Sequence, residues 1–477
     1  MNSQGIRVVA TGAALGILVC AVSQAQANFR PKKDIVLDTA SQQVGNQLFT
    51  GGLFVFNQIR IDRGIHVSAR GPNPLILVAL GDVVVDGILE GDGRDGPHVN
   101  TLNSANYPAP GGIGGPAGGR GGAGSPQPKN RSLAGQRGQG PMGIPGLGGI
   151  GGSGVASTIS YAAGGGGGSF ATIGDPHFVK ARFDPKTRAN VPQIGYGGFG
   201  IGLHQLPFLG GAPGPRLFLD GKSSNDFWGV AIDVNSRKII RGEIAWPFGG
   251  SGGGGGGDRW AGGSLSFTHD SKGAGGGGGG GAVLIYALGK IVVGPAGRIS
   301  ADGGDGGGGE WAGSSRFGGG GGGGSGGMVI LMTRKTIDLH VHGKTYGEGD
   351  YSFSVSADGG IGRQSRFGAI GYESKYAGDP SSAWSRNAGG LGGMGIVQFV
   401  TPVDGKNADG TNTILDDKIN ILQNGKPLTG AVKQKYLAWR GFPNSLGVRV
   451  DDRGKAIQLG HKDGDIRPAP HLLPLWF

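Results

Sequence analysis

Seven consecutive glycines, Gly275–Gly281, lead into an apolar run, Val283-Leu-Ile-Tyr-Ala-Leu288, a second run, Ile291-Val-Val293, and an exit, Ile299-Ser-Ala-Asp-Gly-Gly304. Glycine brings no side chain to a core and loses the most backbone freedom on folding. A chain in which 109 of 477 residues are glycine must therefore draw its order from short apolar runs and from backbone pairing. The unit recurs. Leu75-Ile-Leu-Val-Ala-Leu-Gly-Asp-Val-Val-Val-Asp-Gly87 and Ile88-Leu-Glu-Gly-Asp-Gly93 repeat its two runs, its Ala-Leu-Gly hinge and its Asp-Gly exit. A looser copy has Val329-Ile-Leu-Met332, Ile337-Asp-Leu339 and Val355-Ser-Ala-Asp-Gly-Gly360, and a fragment, Gly392–Val400, begins the same way and stops. A repeated unit of this kind points to a stack of similar turns.

The first run of each copy is continuously apolar. Its length of six, its Val and Ile content and its flanking glycines favour a strand buried on both faces over a buried helix. The expected fold is therefore all-β: a short, irregular parallel β-helix or solenoid-like stack with glycine-rich excursions. For the excursions two readings stand side by side. They are flexible coil, or they are extended three-per-turn helices of the polyglycine II kind, packed backbone to backbone where no Cβ intervenes.

Met1–Ala27 reads as a secretory signal peptide, with Arg7 before an apolar stretch and cleavage expected after Ala27. Cys20 is the only cysteine and leaves with it, so no disulfide braces the mature chain. No apolar run of the mature chain has the length of a membrane span. The formal charge of +11 favours acidic polymers as partners, though Lys and Arg are scattered rather than clustered.

Segment by segment, 28–74 is expected to be an N-terminal cap with the first rungs, and 75–169 the first repeat with its glycine-rich tract. Residues 170–248 form a non-repetitive insertion, 249–402 hold the glycine-rich repeats, and 403–477 form a C-terminal cap and tail. Gly71–Gly87, the glycine run Gly249–Gly257 and the Ser-Ala-Asp-Gly-Gly exits resemble uncharacterised secreted glycine-rich (PGRS-like) proteins of Gram-negative environmental bacteria, over most of residues 50–400. The resemblance implies a secreted or surface location and an all-β build, and brings no catalytic residues with it.

Motif searches yield little. Gly249-Gly-Ser-Gly-Gly253 and Gly323-Gly-Ser-Gly-Gly327 match a nucleophile-elbow pattern but lack the strand-turn-helix context that gives it meaning. Asp92, Asp95, Asp302, Asp305 and Asp358 cluster in Asp-Gly exits, where carboxylates could converge on calcium, although aspartate also favours turns because it bonds its own backbone. Trp260, Trp311, Phe317 and Trp384 are candidates to stack on sugar rings. These features lead to a secreted or cell-surface structural or adhesive protein that contacts extracellular matrix, acidic polysaccharide or another cell-surface polymer. Self-association is compatible with that reading, and no specific nucleic-acid site is visible. A polysaccharide-active β-helix lyase or hydrolase is the alternative.

Overall fold

The computed structural model describes residues 27–99, 108–126, 134–156, 160–170, 210–215, 227–232, 239–260, 270–310, 316–340, 354–362, 389–402 and 418–430. It also describes short pieces at 182–183, 190–191, 200–201, 207–208, 217, 433, 449–450, 456–457 and 471–475. The leader expected at 1–27 lies outside the described residues except for Ala27. Nearly every regular element among the described residues is a strand, so the chain is all-β. No helix among them is long and apolar enough to cross a membrane.

Three sheets of parallel strands carry the repeats. The first sheet orders Leu53–Phe56, Leu75–Ala79, Ala282–Ala287, Met328–Thr333, Ile396–Pro402 and His471–Leu475. The second orders Ile59–Ile61, Val83–Val85, Ile291–Val293, Ile337–His340 and Ile419–Gln423, and ends on the antiparallel Lys426–Pro427. The third orders Ile35–Asp38, His66–Arg70, Ile88–Glu90, Arg298–Ser300 and Val355–Ser356. The chain visits first, second and third sheet in turn, then starts again. Equivalent residues of the repeats pair directly: Ile76, Leu284 and Ile330 lie side by side in the first sheet, and Leu89, Ile299 and Val355 in the third.

Side-chain alternation divides the apolar residues between two cores. Leu75, Leu77, Val283, Ile285, Val329 and Leu331 face inward and meet Val83, Val85, Ile291, Val293, Leu89 and Ile299 from the other two sheets. Ile76, Val78, Leu284, Tyr286 and Ile330 face outward and are covered by Phe170, Phe227 and Ile244. The continuous apolar runs are thus explained, since the first sheet is buried on both faces. The described part of the 170–248 insertion supplies the outer cover. At the N-terminal end Phe29 stacks on Phe56 with centroids 4.9 Å apart, and Phe49, from the hairpin Ser41–Val44 and Gln47–Thr50, packs on Phe54 at 5.1 Å. The fourth fragment does not stop at Val400, because Ile419–Gln423 continues it in the second sheet.

The glycine-rich excursions all leave from third-sheet strands and return to first-sheet strands: 91–281, 301–327 and 357–395. Their backbone bonds repeat every third residue. Gly276 and Gly279 donate to Gly122 and Gly119, Gly277 and Gly280 to Gly322 and Ser325, and Gly278 and Gly281 to Arg94 and Gly91. The carbonyls of the same run accept from Gly112 and Gly115, from Gly253 and Gly250, and from Gly304 and Gly307. Gly275–Gly281 is therefore surrounded by six segments, three reached through its N–H groups and three through its C=O groups. Around 319–325 the same pattern reaches 251–257, 301–307, 274–280, 165–168, 390–393 and Gly360.

These neighbour relations place the segments in three tiers, of which the outer one curves, three of its segments bonding to 274–281 and three to 249–257. An outer tier holds 91–97, 109–116, 118–125, 134–139 and 148–153. A middle tier holds 301–309, 274–281, 249–257 and 162–168. The third holds 357–362, 318–327 and 389–395. Uninterrupted glycine marks the interior segments. In the outer tier the pattern becomes Gly-Gly-X, and X, as at Ile113, Arg120 and Ile150, is exposed.

A methyl group has no room inside. A Cβ built on Gly277 would lie 1.9 Å from the Gly304 carbonyl oxygen, and one on Gly322 would lie 2.1 Å from that of Gly166. Gly277→Ala is expected to destabilise the chain by about 3 kcal/mol or more, because backbone rather than a flexible side chain must yield. Ile113→Ala, at an exposed position of the outer tier, should stay within about 0.5 kcal/mol of wild type. Denaturant midpoints of the two variants test the contrast.

Candidate functional site

The exits from the third sheet build a polar feature from the carboxylates of successive repeats. Parallel pairing sets Glu90 opposite Ser300 and Ser300 opposite Ser356, so residues two positions further on, Asp92, Asp302 and Asp358, come into line. Past the ends of the strands the ladder no longer supplies acceptors for every amide, and carboxylates of the neighbouring repeat take over. The Asp302 N–H donates to Asp92 Oδ1 at 2.8 Å, and the Asp358 N–H to Asp302 Oδ1 at 2.7 Å. A second row runs beside it: the Asp305 N–H donates to Asp95 Oδ1 and the Ile361 N–H to Asp305 Oδ1, both at 2.8 Å.

The same device recurs at other corners. The Lys290 N–H donates to Asp82 Oδ1, the Ala296 N–H to Asp86 Oδ1 and the Gly308 N–H to His98 Nδ1. Each joins residues 208 or 210 positions apart.

Between the two carboxylate rows lies an open groove of about 690 Å³, lined by Glu90, Asp92, Arg94, Asp95, Arg298, Asp302 and Asp305. Arg298 Nη2 meets Asp302 Oδ2 at 2.5 Å, Ser356 Oγ–H donates to the same oxygen at 2.9 Å, and Arg94 Nη2 lies 3.3 Å from Glu90. Asp92 keeps a little solvent contact but is surrounded by protein. Burial, and then the negative charge of Asp302, push its carboxyl up to about 8, with Arg298 opposing. Asp92 is thus a carboxyl that holds its proton beside the arginine-paired Asp302.

The five aspartates singled out in the sequence are brought together, in two rows. Their contacts are those of turn-building groups, since Oδ1 of Asp92, Asp95, Asp302 and Asp305 is engaged by a backbone amide. Among the described residues no group of three or more His, Cys, Asp or Glu side chains is placed to hold a metal ion. The aromatic candidates are not gathered into one site. Arg259–Trp260 pairs with Val155–Ala156 and Asp270–Ser271, and Arg316–Phe317 pairs with Ser160–Tyr161 in a separate small sheet. Trp311 and Trp384 lie outside the described residues.

The two Gly-Gly-Ser-Gly-Gly motifs acquire a role that no motif search assigns. Ser251 and Ser325 are both fully buried. The Ser251 N–H donates to Ser325 Oγ at 2.7 Å, and the Ser325 N–H to the Ser251 carbonyl at 2.9 Å. The pair fixes the register of two interior glycine segments. Their near-identical flanks were the available signal, which a catalytic pattern obscured. Buried charge at Asp258, Arg259, Lys272 and Glu310 was also missed, because Asp258-Arg259 and Lys272 look like ordinary solvated residues in sequence.

Comparison of the chain with family models, curated proteins and solved structures finds no match.

Two outcomes follow from this geometry. The unfolded chain releases the Asp92 proton around the ordinary carboxylate value of 3.8, whereas the folded chain holds it to about 8. The contribution of this group to stability is therefore intact below the lower value, erodes as pH rises between the two, and levels off above the upper one. Asp92→Asn keeps an Oδ1 acceptor for the Asp302 amide. It should match wild type near pH 4, exceed it near pH 8, and flatten the pH dependence of the denaturant midpoint. Separately, Ser325→Ala removes the acceptor of a buried N–H and is expected to cost about 1–3 kcal/mol by the same measurement.

Proposed function

We propose that this is a secreted or cell-surface structural protein with an adhesive role, built as a short three-sided β-solenoid to which a bundle of polyglycine II helices is attached. The solenoid reading is supported by three parallel sheets visited in fixed order by in-register repeats. The polyglycine II reading is supported by the three-residue recurrence of bonds to six surrounding segments, since an extended helix of three residues per turn bonds only to its neighbours. The observation that carries the function is this recurrence. It turns tracts that would otherwise be linkers into a rigid, side-chain-poor body in which no metal-holding group appears among the described residues. Dense backbone bonding and the N-terminal leader expected from the sequence suit a scaffold presented outside the cell.

A polysaccharide-active enzyme is the second reading, and Asp92 is what favours it. A carboxyl that holds its proton in an open groove, with a second carboxyl beside it, is the arrangement of a general acid. Against it, both oxygens of Asp302 are already engaged.

Hydrogen-exchange mass spectrometry tests the scaffold. Amides of 275–281 and 318–327 should exchange as slowly as those of Ala282–Ala287, and the mature protein recovered from the producing cells should begin at Asn28 outside the cytoplasm. Rapid exchange across the glycine runs would remove the physical basis of the proposal. Release of reducing ends from a uronate polymer, abolished in Asp92→Asn, would replace it with the enzyme.

A further inference from the structure

The groove between the two aspartate rows carries a charge opposite to that of the chain around it. The chain has a formal charge of +11, yet the groove sets Glu90, Asp92, Asp95, Asp302 and Asp305 against only Arg94 and Arg298. With Asp92 holding its proton, the other carboxyl groups still outnumber the guanidinium groups. Burial opposes the charge of Arg298, but Asp302, Asp92 and Asp358 together hold its guanidinium above the ordinary value. The groove's volume of about 690 Å³ lies within the range of about 300–1,000 Å³ common to ligand clefts.

The lining groups are unequally occupied. Glu90 divides its oxygens between Arg94 Nη2 at 3.3 Å and His66 Nε2 at 2.9 Å, and Asp302 gives both of its own to Arg298, Ser356 and the Asp358 amide. Asp95 is exposed and commits only Oδ1, to the Asp305 N–H. Alternation turns Ile299 into the core, so Arg298 and Ser300 share the outward face of their strand, with Ser300 directly beside Glu90. Ser300 is 1% exposed, and its Oγ, like Arg298 Nε, meets no hydrogen-bond partner among the described residues. Buried polar atoms are ordinarily satisfied. The strand beside the groove thus holds hydrogen-bonding capacity that these residues do not use.

These features constrain the occupant. An anion would meet more carboxyl groups than guanidinium groups. A lysine side chain would bring an ammonium group alone and leave Arg298 Nε and Ser300 Oγ as they are. An oligomer of amino sugars brings ammonium groups and hydroxyls at regular intervals, and hydroxyls both donate and accept.

We propose that the groove binds an amine-bearing oligosaccharide, with the ammonium group of one ring paired with Asp95 and the hydroxyls of a neighbouring ring bonded to Arg298 and Ser300. Rotation of the partly exposed Arg298 side chain opens Ser300 Oγ to the ring. Such binding goes beyond the scaffold reading and does not depend on it.

Calorimetric titration of the full mature chain with a glucosamine tetramer, near pH 6 and so below the ordinary range of an amine, tests the site, with the N-acetylglucosamine tetramer as neutral control. The amine-bearing tetramer is expected to bind with an affinity that falls as salt rises, and the acetylated one to bind at least about ten-fold more weakly. Asp95→Asn keeps the acceptor of the Asp305 N–H but removes the charge. It should weaken binding of the glucosamine tetramer roughly ten-fold, with an unchanged melting temperature. Equal binding of the two tetramers overturns the proposal, as does equal binding by variant and wild type. So does tighter binding of tetralysine or of a galacturonate tetramer. Protected glycine amides in a chain that ignores the glucosamine tetramer would sink this inference and leave the scaffold standing, whereas unprotected amides beside intact binding would sink the scaffold alone.

Discussion

Peptide-to-peptide hydrogen bonding at distances that exclude a Cβ is the interaction on which the rest of the molecule depends. A glycine costs more backbone entropy to order than any other residue, with fixing one backbone position costing about 1–2 kcal/mol, while a peptide hydrogen bond returns a net of about 0.5–1.5 kcal/mol. Bonding alone therefore leaves a glycine segment near balance. The segments are ordered because both ends are held. Gly281 runs directly into Ala282–Ala287, and Gly91 follows directly on Ile88–Glu90, both packed in sheets whose interior is hydrophobic. The apolar cores provide the driving force, and the glycine bundle is an ordered structure that they make affordable.

The corners where sheet gives way to bundle raise a different problem, since amides beyond the ends of the strands have no strand partner. Asp82, Asp86, Asp92, Asp95 and His98 solve it by offering side-chain acceptors from one repeat to the backbone of the next. Where such a group stacks on its own kind, as Asp302 does on Asp92, there is an electrostatic consequence. Where two carboxylates come close and solvent is scarce, as at Asp92 and Asp302, one holds its proton and the other is anchored by Arg298. A feature that resembles a reactive pair can thus arise from the need to satisfy turns.

Much of this was legible in the sequence wherever the signal was local. The apolar runs at Leu75, Val283 and Val329 are strands, and their lack of alternation reflects burial on both faces. Less legible were features whose meaning depends on residues far away. Asp92 reads as a turn residue until Asp302 is placed beside it, and Ser251 reads as a motif serine until Ser325 meets it. The strand Ser41–Val44 was hidden because its residues are polar, and Ile419–Gln423 because a long polar stretch separates it from the strand it follows. Glycine count, by contrast, reports depth. Uninterrupted runs are interior, and a side chain at every third position marks the surface.

That three-residue recurrence also explains why the excursions can coexist with a regular stack. Strands of one sheet must keep a common register, so a chain that leaves the third sheet has to re-enter the first about 4.8 Å further along. Any excursion must then go out and come back. Around Gly275–Gly281 the segment 322–325 runs in the same sense and 119–122 in the opposite one, each bonded by the same donor spacing. A segment that bonds in both senses imposes no order on its neighbours beyond their distance. Passes can accordingly be added in pairs, as the excursions 301–327 and 357–395 illustrate, while Leu284 stays beside Ile76 and Ile330. The stack fixes where each excursion begins and ends, and the absence of side chains leaves its length free.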